Sequence, residues 1–389
     1  MGKFKNGSQG NSLEGLKLRE ATLADSQKLN EFFTSIPTIG AIDIKMQREL
    51  HFFSFYQRIG LPYKTFVLED ENEIVGTASF LFRELQFLNR PLRLAQACDL
   101  RISPNRKAIL SWSKYFHPLL EQIRNADRCD GFMTSINQNE SQAMNAFIRP
   151  KLKRPQQPLY SLSRSYNLVS VHGFYPWMSK PNPNILVRPY RSSDKQNLTE
   201  FLNAQLPNYD FVPIELRKNI QDYIHRSILY SWSQFLIAFD PAEKIIGCVQ
   251  PISSSLLQDY FPQEYNDQAH NFRQFLKVAQ WLRFGRRLTR PFSRSLKQEA
   301  LQFRLLHFLC ANHSEVLKAL IFESYKTSEQ NEFIIYAHEK EDFAKRPPIG
   351  SVHTEIPYGL YSIETNDREI LPEMTFLNNR PSWLDFIWF

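Results

Sequence analysis

Residues 16–33, LKLREATLADSQKLNEFF, change their hydrophobic rhythm part-way. Leu16 and Leu18 alternate with polar neighbours, as in a half-buried strand; Leu29, Phe32 and Phe33 then recur at helical spacing. Asp25 stands where a helix N-cap is wanted. Residues 185–202, ILVRPYRSSDKQNLTEFL, show the same change with Ile185, Val187, Asp194, Leu198, Phe201 and Leu202. Six of the eighteen positions are identical between the two stretches, pairing Arg19 with Arg188, Asp25 with Asp194, Gln27 with Gln196, Leu29 with Leu198, Glu31 with Glu200 and Phe32 with Phe201. Downstream, FVLEDENEIVGTASFLF (66–82) and FLIAFDPAEKIIGCVQPI (235–252) each predict two strands around a polar turn, with Gly76 and Gly247 as counterparts. Recurrence of the same order at nearly equal spacing predicts two copies of one unit.

After each hairpin the pattern continues as strand, helix, strand. In the first half the stretches 92–103 and 129–137 predict strands, with a helix between them, a helix over 140–148 and a closing strand at 166–174. In the second half 301–313 and 331–339 predict strands around a helix, followed by YGLYSIE and SWLDFIWF. YPWMSKPNPN (175–184), with three prolines, predicts a linker. The boundaries are thus a disordered tail at 1–14, one domain at 15–174, the linker at 175–184 and a second domain at 185–389.

The 389 residues suit two cores better than one, and 42% hydrophobic with 22% charged residues is a globular balance. The four cysteines form no C-x-x-C pair, which argues against disulfide frameworks and thiolate metal sites and fits a cytoplasmic location. No metal site is expected. No run of 18 apolar residues predicts a transmembrane helix. Neither H-E-x-x-H, G-x-S-x-G nor a P-loop occurs. His307 and His313 read as structural. The net charge of +7 is concentrated in 271–297, NFRQFLKVAQWLRFGRRLTRPFSRSLK, which holds eight Lys/Arg and no acid. Phe272, Phe275, Leu276, Ala279 and Leu282 share one helical face there. The segment reads either as a packed amphipathic helix or as a surface for an acidic carrier protein, an anionic lipid headgroup or non-specifically bound nucleic acid.

The element order of each half resembles that of GNAT-type N-acyltransferases, the acyl-CoA-dependent N-acetyltransferase superfamily. DLRISPNRKAILSW (99–112) is similar to that family's acyl-CoA motif, and INQNESQAMNAF (136–147) to the motif after it. The resemblance implies an α+β chain of two tandem GNAT-like domains, each a mixed, mostly antiparallel twisted sheet with helices on both faces. It implies transfer of an acyl group, acetyl in the first instance, from acetyl-CoA or another acyl-CoA to a small amine or amino-acid-like acceptor. The cofactor-binding stretch it implies is Leu100, Arg101, Ile102, Arg106, Lys107, Ala108, Ile109, Leu110 and Ser111, with Asn139 from the second motif. Pyrophosphate would lie on backbone N–H groups at the helix start. Arg106 and Ser111 fit the family pattern, whereas Ile109 stands where it has glycine. Asp99 is the candidate general base, its other reading being a carboxylate paired with an arginine. Phe147 occupies the place of the family's thiolate-protonating tyrosine, and Tyr160 and Tyr166 lie nearby. In the second half Glu315 opens the corresponding helix and would repel phosphate, with Ser314 as its expected cap. Two other functions remain open: a non-catalytic scaffold that has lost the cofactor, and an acyltransferase served by acyl carrier protein.

Overall fold

The computed structural model describes residues 16–148, 158–178, 180–295, 297–365 and 380–388; the tail expected at 1–14 lies outside them. The first half contributes β1 (Leu16–Glu20), α1 (Ser26–Ser35), β2 (Ile42–Gln47), α2 (Ser54–Ile59), β3 (Tyr63–Asp70), β4 (Glu73–Phe87), β5 (Arg90–Ile102), α3 (Arg106–Asp127), β6 (Gly131–Asn137), the short α4 (Ser141–Ala143) and β7 (Leu159–Phe174). The second contributes β8 (Leu186–Pro189), α5 (Lys195–Gln205), β9 (Val212–Pro213), α6 (Ile214–Lys218), α7 (Ile220–Arg226), β10 (Leu236–Phe239), β11 (Ile245–Ser253), β12 (Asp259–Tyr265), α8 (Asp267–Trp281), β13 (Phe303–Ala311), α9 (Ser314–Thr327), β14 (Phe333–Glu339) and β15 (Ser351–Glu364).

The repeated residues share their local contacts in the two copies, although Arg19 alone also pairs with Glu69. Arg19 and Arg188 each form a two-pronged ion pair, with Asp25 at 2.8 and 2.6 Å and with Asp194 at 2.6 and 2.8 Å. Each aspartate also accepts from a backbone N–H at 2.7 Å, Thr22 in one copy and Arg191 in the other. Gln27 donates to Glu31 and Gln196 to Glu200, both at 3.0 Å, one helical turn on. Leu29 and Leu198 are buried. The β3–β4 turn is two residues long, Glu71 and Asn72, and both have positive φ, the geometry that matches strand twist in a tight hairpin.

Among the described residues the main sheet has the order β1-β3-β4-β5-β6-β15-β7-β14-β13-β11-β10-β8, with β9 pairing β4 off that path. Read from its two ends, the order is symmetric. It is antiparallel except where β5 meets β6 and β13 meets β14. The centre is exchanged: β7, which closes the first half in sequence, pairs with β14 and β15, while β15 pairs with β6. A second, two-stranded sheet joins β2 of the first half to β12 of the second. On one face α3 packs Trp112, Phe116, Leu119, Leu120 and Ile123 against Phe66, Phe80, Phe132 and Ile363, the last supplied by β15. Correspondingly, α9 packs Val316, Leu317, Leu320 and Ile321 in a core that includes Val169 and Val171 from β7. A third and larger core gathers α1, α2, α5, α6 and α7 and spans both halves.

Candidate active site

The parallel contact between β5 and β6 is three residues long, Leu94–Gln96 against Gly131–Met133, after which the strands part. The second half repeats this with Phe303–Leu305 against Phe333–Ile335. Beyond each short ladder the strand edges lose their sheet partner, so backbone N–H groups face a cleft. A bulge lies at the same register in both halves. Thr77 pairs with Arg101 but Ser79 with Cys98; Cys248 pairs with Cys310 but Gln250 with His307. The bulged residues Asp99 and Phe308 take the left-handed conformation, at φ 53° and 50°. Gly76 and Gly247 sit opposite Ile102 and Ala311, which confirms them as counterparts.

The bulge turns Asp99 toward the guanidinium of Arg48 and the hydroxyl of Tyr56, and both donate to its carboxylate. Arg48 is buried, boxed by Phe33, Phe52, Phe55 and Tyr56 with ring centroids 4.5–4.8 Å away. Its Nε donates to Oε1 of Gln258 at 3.0 Å, and Nη1 to the Phe52 carbonyl at 3.2 Å. Burial works to raise the Asp99 carboxyl, but the Arg48 charge and the bonds from Tyr56 and Arg48 hold it below the usual aspartate range. Asp99 is thus bound as a carboxylate, the second of the two roles its sequence allows.

Arg101 follows on β5. It donates to Oγ1 of Thr38 at 2.6 Å and to the Leu100 carbonyl at 3.0 Å, and burial lowers its pKa. Glu140, just after β6, feels the Arg101 charge from the other strand of the cleft, yet burial outweighs that charge and raises its carboxyl. Two tyrosines from the second half complete the surroundings. Burial raises Tyr260, which feels Arg48 and Asp99, and pushes Tyr358 up to about 12 beside Glu140. Tyr358 stacks on Tyr166 at 5.6 Å. Phe147 lies against Tyr160, with centroids 5.5 Å apart.

At the start of α3, Asn105 caps the helix by accepting from the Lys107 N–H at 2.9 Å, and the first turn holds no acid. Arg106 is exposed, Lys107 is paired with Asp70 at 2.7 Å, and Ala108 and Ser111 are buried. Leu100 and Ile102 are half-buried; Ile109 and Leu110 face outward. Asn139 sits exposed in the turn after β6. The expected stretch 100–111 and Asn139 therefore come from the two strands that form the cleft and the helix that follows it. Arg48, Tyr56, Gln258, Tyr260, Tyr358 and Glu140 were not among the residues expected from sequence. One signal for Arg48 was available: aromatic residues four, seven and eight positions after it, at 52, 55 and 56.

The second cleft differs. His313, not Ser314, occupies the N-cap of α9, with no side-chain bond, and Glu315 lies in the first turn. The segment 380–388 enters this cleft: Trp383 contacts Phe308 at 6.0 Å and Phe386 contacts His307 at 5.4 Å. Asp385 forms a buried ion pair with Arg83 at 2.6 Å, from the first half.

No protein-family model and no curated protein matches the sequence significantly. Solved structures do match the fold. N-myristoyltransferase of Saccharomyces cerevisiae with bound myristoyl-CoA and inhibitors superposes with a TM-score of 0.52 at 10% identity, over 95% of this chain and 86% of that one. The chain has the tandem GNAT fold. Another crystal structure of the yeast enzyme with bound myristoyl-CoA gives 0.50 at 8% identity, over 90% and 83% of the two chains. A GCN5-related glucosamine N-acetyltransferase region in a fungal multi-domain beta-N-acetylglucosaminidase gives 0.52 at 12%, over 89% of this chain and 38% of that one. At these identities the likeness is one of fold. The GNAT fold accounts for the paired clefts, and the local chemistry above distinguishes one cleft from the other.

Proposed function

We propose that the chain transfers an acyl group from acyl-CoA to an amine, with the donor in the first cleft. The observation that carries this reading is the asymmetry of the two halves. Helix α3 offers capped but acid-free N–H groups with Arg106 beside them, whereas α9 opens on Glu315 and its cleft holds Trp383 and Phe386. A pyrophosphate is stabilised at the first kind of helix end and repelled at the second. The bound myristoyl-CoA of the yeast structures supports an acyl-CoA donor. In this reading, N–H groups of the parted β5 edge stabilise the oxyanion of the tetrahedral intermediate. Asp99 fixes the bulge, and Glu140, made more basic by burial, takes the proton from the attacking amine. Collapse of the tetrahedral intermediate then breaks the C–S bond, and CoA leaves as the thiol with that proton returned to its sulfur. Acetyl-CoA and a small amine or amino-acid-like acceptor are the proposed substrates.

Calorimetry with acetyl-CoA and longer acyl-CoAs tests the donor. Arg106→Ala should weaken binding by about 1–2 kcal/mol, the scale of a lost charge-assisted bond. Unchanged affinity would place the donor elsewhere. No affinity in the wild type would favour a non-catalytic scaffold, the reading that Ile109 in place of glycine supports.

A further inference from the structure

The run 271–297 splits in the structure into a buried and an exposed set. Arg286 belongs to the buried set: its guanidinium donates to Ser328 Oγ and to the carbonyls of Glu332 and Tyr325, and it stacks 3.8 Å over the Tyr325 ring. On α8, Leu276 and Ala279 are buried in the direction the sequence pattern implies. Phe275 and Leu282, expected on that same face, instead join Val278 and Trp281 in an exposed apolar stripe. Spacings of three and four residues place these four on adjoining turns. The stripe continues onto other elements. Phe275 contacts Phe284 at 6.3 Å, Phe284 contacts Tyr175 at 5.4 Å, and Tyr175 stacks on Trp177 at 5.3 Å. Trp281 is 80% and Trp177 75% exposed. Lys277, Arg283 and Arg287 are exposed along the same segment.

We infer that this face, built from the end of α8, residues 282–287 and residues 175–178, docks onto an anionic lipid membrane surface. Two indoles held out into water are costly for a protein without a partner, and tryptophan is the side chain best suited to the boundary of headgroups and acyl chains. A helix with Phe, Val, Trp and Leu on one face and Lys and Arg beside it has the composition of an interfacial helix. The cations select the sign of the surface, and each Lys or Arg near an anionic membrane strengthens binding about fivefold. An acidic carrier protein would match the cations but would not offer apolar depth to both indoles. The inference is independent of the acyltransfer reading.

Co-sedimentation of the full chain with vesicles tests it. Phosphatidylcholine containing about 30 mol % phosphatidylglycerol, at about 50 mM salt, should bind the protein at least tenfold better than phosphatidylcholine alone. Lys277→Gln, Arg283→Gln and Arg287→Gln together should remove that preference. Trp177→Ser with Trp281→Ser should lower binding by about tenfold or more and remove the part that survives about 500 mM salt. Circular dichroism melts of both variants should match the wild type, since all five side chains are exposed. Absence of wild-type binding to either vesicle overturns the inference, as does wild-type binding by either variant. Binding to acyl carrier protein without binding to vesicles would assign the face to a protein partner, and so overturns it too.

Discussion

Asp99 and Glu140 are both carboxylates at one cleft, but their surroundings push them in opposite directions. Asp99 accepts from Arg48 and Tyr56 and is held low; Glu140 is raised by burial. Asp99→Asn leaves the buried Arg48 charge uncompensated, and should cost about 3–5 kcal/mol of stability in denaturant unfolding. Glu140→Gln should instead leave the unfolding midpoint near that of the wild type and lower kcat by about 10²–10⁴-fold. The reverse pattern would return the base to Asp99. His172 and His307 supply a second residue-scale outcome. Burial holds both imidazoles down at about 3, with His353 adding to the effect on one and Arg83 on the other. The unfolded chain takes up these protons below about pH 6.5, whereas the folded chain does not take them until near pH 3. Stability is therefore complete above the unfolded value and is lost as pH falls between the two. The two groups together contribute a slope of roughly 3 kcal/mol per pH unit in mid-window, and His307→Leu should remove about half of it in unfolding measured from pH 6 to 4.

At the scale of elements the duplicated glycines are equivalent in register but not in space. A Cβ at Gly247 would lie 2.5 Å from Val316 Cγ1 on α9 and 2.9 Å from the Cys310 carbonyl. At Gly76 the nearest atoms, in Leu68 and Trp112, are 3.3 Å away. Gly247→Ala should thus destabilise by about 1–3 kcal/mol and Gly76→Ala by less than about 1, compared by thermal melts. The elements also mark how far the sequence could be read. The repeated strand, helix and hairpin were legible because their contacts are local: Arg19 with Asp25, Gln27 with Glu31, and a two-residue turn at Glu71 and Asn72. The cleft's helix was legible through Arg106 and Ser111. Arg48 was not, because its partners Asp99 and Gln258 lie 51 and 210 positions away. Nothing in a local pattern pairs β2 with β12, or brings Tyr260 and Tyr358 to a cleft opened by β5 and β6. The sequence pattern marks only the later portions of β7 and β15, at 166–174 and 358–364. Their earlier residues are too polar to alternate cleanly, and each set takes strand form against the later residues of the other strand, along an antiparallel ladder from Ser351 to Glu364.

For the molecule as a whole, that ladder joins the halves more firmly than a linker could. A chain cut between Met178 and Asn184 leaves the first fragment without β15 beside β6, and the second without β7 beside β14. Each core also loses side chains, Ile363 from one and Val169 and Val171 from the other. The two fragments expressed together should elute from size exclusion as one complex, and each alone should aggregate through its open strand edge. Elution of two stable monomers would show that the exchange is dispensable. The same interlocking has a consequence for biosynthesis. Roughly 180 residues separate Phe174 at the end of β7 from Ser351 at the start of β15. Ribosomes add about 5–20 residues per second, so the first half waits roughly 10–35 s with the place of β15 between β6 and β7 unfilled. Its helices and hairpins can form on emergence, but the sheet closes only once β15 has been made. Unlike most two-part proteins, this one cannot finish its first half first.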